Sequence, residues 1–198
     1  MRESGIYQMY LKNLLDRLLA LVGTAALSWL LILLGIAIHL DSPGPIFFRQ
    51  KRAGKNGTYF YIYKFRTMRI DTPHDMPTHM LNNPDLFITR VGRFLRKTWL
   101  DELPMLINWM KGDLKLVGVR PLSSHYFSLY SEELRALRIR TKPGLIPPFY
   151  ADMPGTLDEI QESERRYLEQ YLRSPFLTDW RYFWKAFRNI VFRGKRSR

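Results

Sequence analysis

A chain of 198 residues holds one complete core with an appended element and is too short for two large domains. Lys and Arg number 31 against 18 Asp and Glu, a formal net charge of +13, so the partner is acidic: nucleic acid, an anionic membrane face or phosphorylated substrates. The 46% hydrophobic and 14% aromatic content excludes a disordered chain, and the lack of cysteine excludes a disulfide framework and thiolate chemistry.

Residues 1–17 read as an amphipathic entry, with Tyr7, Tyr10, Leu11, Leu14 and Leu15 among charges. Leu18 to Ile38 then runs for 21 residues without a charge. A helix of that length crosses the roughly 30 Å hydrocarbon layer. It is too long for the apolar region of a signal peptide and has no small-x-small cleavage site after it. A soluble core helix of this length would carry a polar stripe, which this one lacks.

Basic residues flank both ends: Arg2, Lys12 and Arg17 precede the apolar run, and every other Lys and Arg follows it. Both ends are therefore drawn to the cytoplasm. A helix that enters, bends and returns satisfies that pull, with Gly23, Ser28 and Gly35 as its weak points.

Asp41-Ser-Pro-Gly-Pro45 ends the helix by missing donors and turn chemistry. Ile46–Gln50 and Tyr59–Phe65 read as strands, joined through Gly54-Lys-Asn-Gly57, where Asn-Gly signals a hairpin turn. Arg69 to Asp85, rich in Pro, Asp, His, Asn and Met, reads as a loop. Helical patterns follow over Val91–Arg96, Leu103–Met110, Glu132–Ile139, Thr156–Leu172 and Leu177–Phe192. In the last, Trp180, Phe183, Trp184, Phe187 and Val191 form a stripe that suits either the headgroup plane of a membrane or an ordinary core. The basic tail, Arg193 to Arg198, is attracted to anionic lipid in either case.

Asp101-Glu102 is an acidic pair in a basic setting: Arg90, Arg93, Arg96 and Lys97 precede it, and Lys111, Asp113 and Arg120 follow. Thr98 three residues before an acid, with Pro104 after, carries start-of-helix signals, so helix capping alone accounts for the pair on spacing. A first-turn carboxylate held ionised by cations also has the chemistry to attack phosphorus or to bind Mg²⁺. There is no G-x-x-x-x-G-K-[ST] or G-x-G-x-x-G loop, and His39, His74, His79 and His125 lack metal-ligand spacing, which leaves zinc catalysis and Ser-His triads weak.

Seven ordered motifs resemble one family. They are Asp41-Ser-Pro-Gly-Pro-Ile-Phe-Phe-Arg-Gln50, Tyr63-Lys-Phe-Arg-Thr-Met68, Ile88-Thr-Arg-Val-Gly-Arg-Phe-Leu-Arg96, Leu100-Asp-Glu-Leu-Pro104, Lys111-Gly-Asp113, Arg120-Pro121 and Lys142-Pro-Gly144. Together they resemble the bacterial sugar transferases, the small monotopic phosphoglycosyl transferases, over about residues 10 to 145.

The resemblance implies an α+β, mainly helical fold with an N-terminal membrane-embedded, re-entrant helix over 1–40. A cytoplasmic catalytic domain over 41–198 would hold a β-hairpin and interfacial amphipathic helices. It implies location at the cytoplasmic face of the bacterial inner membrane, and transfer of a sugar-1-phosphate from a UDP-sugar to undecaprenyl phosphate with Mg²⁺. Membrane lipid would be a partner and nucleic acid would not. Asp101 would be the nucleophile and release UMP, and Glu102 would position metal or move a proton; both acids are the expected metal ligands. Lys64, Arg66, Arg96, Arg120 and Pro121 would bind substrate.

Three departures stand out. Ser28-Trp29 lies where the family has Ser-Pro, Gly118-Val-Arg-Pro121 replaces Gly-Pro-Arg-Pro, and Leu145 to Asp152 replaces the usual Thr-Gly-Leu stretch. Two other functions fit the composition. A basic peripheral membrane protein binding anionic lipid or nucleic acid leaves the acidic pair without a task, and a metal-dependent phosphohydrolase would release free sugar phosphate.

Overall fold

The computed structural model describes residues 3–72 and 83–193. His74 and His79, with most of the expected 69–85 loop, lie outside the described residues, as do residues 194–198 of the tail and the side chains of Tyr7 and Tyr10. The fold is mostly helical with two small sheets.

Helix α1 (Glu3–Asp41) is one continuous element of 39 residues, about 58 Å long at 1.5 Å per residue. The weak points do not open it. Ser28 Oγ donates to the Ala25 carbonyl and Thr24 Oγ1 to the Ala20 carbonyl, side-chain bonds made without loss of helix. The buried residues Lys12, Ala20, Leu34 and Ile38 fall on one stripe at helical spacing. The opposite face leaves Leu11, Leu18, Val22, Trp29, Ile32, Leu33, Ile36 and Leu40 exposed.

Strands β1 (Phe47–Ala53) and β2 (Tyr59–Phe65) pair antiparallel, from Phe47 opposite Phe65 to Ala53 opposite Tyr59. The Asn-Gly signal works as expected: Asn56 at φ 56° and Gly57 at φ 71° supply the left-handed pair that this reversal needs. α2 (Arg90–Thr98) starts at Thr89, whose side chain accepts from the Gly92 amide. Gly92 lets α2 lie against the end of β2, because a Cβ there would meet the Thr67 carbonyl oxygen at 2.1 Å.

After α3 (Met105–Lys111), β3 (Lys115–Val117) pairs in parallel with β4 (Gly144–Ile146). Two short helices, α4 (Ser124–Ser128) and α5 (Glu132–Arg138), lie between these strands. Then come α6 (Phe149–Asp152), α7 (Leu157–Arg173) and α8 (Pro175–Arg193). β3, β4, α4 and α6 were not expected, since three to five residues are too few to show a period.

Three cores hold the chain together. Tyr167, Leu168, Leu134, Val117, Tyr182 and Ala186 centre the first, on α5, β3, α7 and α8. Ala20 joins Ile62, Met105, Trp109 and Leu114 in the second, and Leu34 and Ile38 join Phe65 and Leu95 in the third. Helix α1 therefore shares cores with β2, α2 and α3.

Polar contacts tie both of its ends. Lys12 Nζ lies 2.8 Å from Asp179 Oδ2 on α8, and Asp41 Oδ2 accepts from the Val91 amide at 2.9 Å. In α8 the aromatic stripe is turned outward, with Trp180 at 55% exposure and Trp184 at 47%, while Tyr182, Ala186 and Asn189 face the core. Phe183 of the same stripe is half-buried and packs against the first core.

Candidate active site

The acidic pair occupies a short 3₁₀ turn, Leu100–Glu102, wedged between α2 and α3. Its geometry departs from the helix-capping expectation. Thr98 does not cap the following helix; its hydroxyl donates back to the Phe94 carbonyl at 2.8 Å. Trp99 adopts the left-handed conformation at φ 62° and ends α2, so the chain turns sharply before the acids. The Trp99 ring packs against Tyr150 in a tilted arrangement, with ring centres 5.3 Å apart, which holds the turn against α6.

Each acid has different surroundings. Glu102 Oε1 accepts from Lys64 Nζ at 2.6 Å and from Arg120 Nη2 at 3.0 Å. Burial pushes its pKa up, but Lys64 and Arg120 outweigh burial and the net shift is downward. Among the described residues no side-chain hydrogen bond ties the Asp101 carboxylate. Burial, with Glu102 beside it, pushes the Asp101 pKa up against the pull of Lys64 and Arg96.

The cations come from separate elements. Lys64 stands on β2 and shares a strand face with Ile62. Its register is set by buried Asn108 of α3, which accepts from the Tyr63 amide at 3.0 Å and donates to the Tyr61 carbonyl at 2.7 Å. Arg96, on α2, donates from Nε to Thr67 Oγ1 at 2.9 Å and lies near enough to Asp101 for the two charges to interact. Arg120 follows β3, and its backbone carbonyl accepts from Arg138, itself paired with Glu164 in the core.

A small cleft of about 20 Å³ opens here, lined by Arg52, Lys64, Glu102, Arg120, Pro121 and Pro147 among others. Of the residues named in advance, Asp101, Glu102, Lys64, Arg96, Arg120 and Pro121 thus come together. Arg66 is placed elsewhere. It is buried, and its guanidinium donates to the Ser42 and Pro43 carbonyls, closing the turn after α1.

Sequence reasoning missed Arg52 and the Arg138–Glu164 pair. Arg52 was within reach of it, because Arg52 lies opposite Phe60, and counting by twos from Phe60 through Ile62 reaches Lys64 on the same face. Arg138 and Glu164 carried no signal, since one lies on α5 and the other on α7, 26 residues apart. The departure after Gly144 reaches the site as well: Leu145 and Pro147 line the cavity, and the Phe149 ring lies 6.0 Å from the Arg120 guanidinium.

The model of the family described as "Bacterial sugar transferase" matches residues 7–193, a span that includes every element of this site. The chain belongs to that family. It is 35% identical over 151 residues to the UDP-glucose:undecaprenyl-phosphate glucose-1-phosphate transferase of Xanthomonas campestris pv. campestris, covering 73% of this chain and 31% of the relative. The Caulobacter vibrioides protein of the same name is 43% identical over 138 residues, covering 68% of this chain and 51% of the relative. The putative undecaprenyl-phosphate N-acetylgalactosaminyl 1-phosphate transferase of Bacillus subtilis is 32% identical over 164 residues, covering 83% and 80%. The match thus spans about a third of the first relative and half of the second. For a bacterial sugar transferase, the site's contents are chemically apt: four cations around two acids leave an excess positive charge that a diphosphate matches.

Proposed function

We propose that this chain transfers a sugar-1-phosphate from a UDP-sugar to undecaprenyl phosphate, at the cytoplasmic face of the bacterial inner membrane. The observation that carries the reading is the contrast within the acidic pair: Glu102 is bound by Lys64 and Arg120, whereas among the described residues no side chain donates a hydrogen bond to the Asp101 carboxylate, which feels the charges of Lys64 and Arg96. A partly desolvated carboxylate without a side-chain partner, beside cations, has the makings of a nucleophile toward phosphorus.

An Asp101 oxygen forms a bond to the sugar-side phosphorus. The bond from that phosphorus to the bridging oxygen breaks, and UMP leaves with the electron pair. An oxygen of the lipid phosphate then attacks the same phosphorus, the bond to Asp101 breaks, and the carboxylate is regenerated. Lys64, Arg96 and Arg120 neutralise phosphate oxygens throughout, with Arg120 and Lys64 also holding Glu102 in place.

Two adjacent carboxylates fit Mg²⁺, which takes one or two carboxylates together with substrate phosphates and water. Among the described residues there is no cluster of three or more acidic, His or Cys side chains that would hold a metal without substrate. Asp101 and Glu102 would hold the ion, which when bound supplies charge neutralisation on the diphosphate.

Incubation with Mg²⁺, polyprenyl phosphate and a panel of UDP-sugars is expected to yield UMP and a lipid-linked sugar diphosphate. Folded protein that yields no UMP with any donor sinks the reading, and free sugar phosphate instead of lipid product makes it a phosphohydrolase. Asp101 must be ionised to attack, so the acid limb of turnover follows its pKa. Lys64→Gln removes a charge that lowers that pKa, and the acid limb of residual UMP release is expected to move to higher pH.

The membrane reading is non-spanning, with α1 immersed along its outer leucine face and α8 beside it through Trp180 and Trp184. Lys12 and Asp41 are about 44 Å apart along the helix yet both are bound to the same folded unit, through Asp179 and Val91. A transmembrane α1 would put those contacts on opposite sides of the bilayer. Single cysteines placed at Ser4 and Lys55 are therefore expected to react with an impermeant reagent from the cytoplasmic side alone. Labelling of Ser4→Cys from the periplasm overturns this topology.

A further inference from the structure

The family's acids and the cations named beforehand leave one charged group in the cavity without a task. Arg52 projects from β1 into the space bordered by Lys64, Glu102 and Arg120. Its Nε is buried and has no hydrogen-bond partner among the described residues. A terminal nitrogen donates to the side-chain oxygen of Gln50, a neutral group on the same strand, so that bond leaves the charge uncompensated. Burial and the nearby Arg120 push the Arg52 pKa down to about 10, with Glu102 as the opposing carboxylate. Glu102 already accepts from Lys64 and Arg120, so one carboxylate faces three cations. An oxyanion between the two guanidinium groups would relieve their repulsion and give the Arg52 charge a counterion.

The cavity does not include Asp101 or Arg96 in its lining, whereas Glu102 and Lys64 border both regions. The attacked phosphorus belongs beside Asp101, so the neighbouring cavity suits the next phosphate along the donor. Displacement at phosphorus is in line: the leaving oxygen departs opposite the incoming Asp101 oxygen. The second displacement must break the Asp101 bond, so its nucleophile approaches from the position the leaving group vacated.

Resting on the aspartyl reading above, we propose that Arg52 and Arg120 form a single phosphate subsite that the UMP phosphate leaves and the polyprenyl phosphate then enters. In the first step the oxygen bridging the two phosphates leaves as part of UMP; in the second a lipid phosphate oxygen takes its place on the same phosphorus. No further reactant is needed, and Arg52 contributes charge and donors to both.

The test separates the two half-reactions, using the UDP-sugar that the wild type turns over. Exchange of labelled UMP into that donor, without lipid, reads the first. Discharge of the trapped protein adduct by polyprenyl phosphate reads the second. In Arg52→Gln, half-maximal exchange is expected to need about tenfold or more UMP, and discharge a comparable increase in polyprenyl phosphate. Inhibition by uridine, which has no phosphate, is expected to stay unchanged, and Arg52→Lys to recover part of the loss. Equal weakening of UMP and uridine reduces Arg52 to a structural role and overturns the subsite. Discharge at the wild-type lipid concentration overturns its sharing by the two phosphates. Wild-type protein that exchanges no UMP overturns the aspartyl reading itself and takes the subsite with it.

Discussion

Asp101→Asn is expected to abolish both UMP release and any sugar-phosphate adduct on the protein, while leaving the fold at wild-type stability or slightly above. The amide keeps the shape of the side chain but removes the oxygen nucleophile, and no neighbouring group replaces it. Glu102 is the other carboxylate within the turn, and it is engaged by Lys64 at 2.6 Å and Arg120 at 3.0 Å. A loss of roughly 10³-fold or more in turnover is the scale for removing such a group. The stability expectation follows from sign. Asp101 has a pKa raised by burial, so at neutral pH its charge weakens the fold, and a neutral amide removes that burden. Mass spectrometry of protein incubated with donor alone reads the adduct, and thermal unfolding reads the stability. An active Asp101→Asn protein overturns the nucleophile assignment.

Arg138→Leu is expected to be the most damaging change away from the acids. Arg138 and Glu164 form an ion pair with side chains 5% and 1% exposed, and Arg138 also donates to the Arg120 carbonyl. Removing one partner of a buried pair costs about 3–5 kcal/mol, because the remaining charge is left uncompensated. For a chain of this size each kcal/mol corresponds to roughly 2–4 °C in Tm. Burial already holds the Glu164 pKa above its ordinary value despite Arg138, and losing Arg138 raises it further. A carboxyl whose folded pKa lies above its unfolded one weakens the fold as pH rises past the unfolded value. The Tm deficit of Arg138→Leu is therefore expected to be smaller at pH 5 than at pH 8. A deficit that is the same at both values would place the damage in packing alone. Arg120 loses the support of its backbone as well, so weakened donor binding is expected alongside the lower Tm.

Legibility from sequence followed the range of each interaction. The apolar run in α1, the hairpin with its Asn-Gly turn, and α7 and α8 were read to within a few residues, because period and turn chemistry are local. The ordered motifs likewise brought out the acidic pair and most of its cations. Local signals misled where tertiary packing competed with them. Thr98 looked like a cap, but Trp99 ends α2 in a left-handed residue packed against Tyr150, more than fifty residues away. Alternation would keep Arg66 on the face of Lys64, yet β2 ends at Phe65 and the Arg66 guanidinium donates to the Ser42 and Pro43 carbonyls.

By itself, then, the sequence determined the family, the apolar helix and the two acids with their basic company, since composition, period and ordered motifs are all written along the chain. Only the tertiary structure decided which acid is bound by two cationic side chains, Glu102 rather than Asp101. It also brought Arg52 to Lys64 and Arg120, and tied both ends of α1 to one folded unit. Those outcomes depend on side chains from distant segments meeting in a buried space, where burial and charge together set what each group can do.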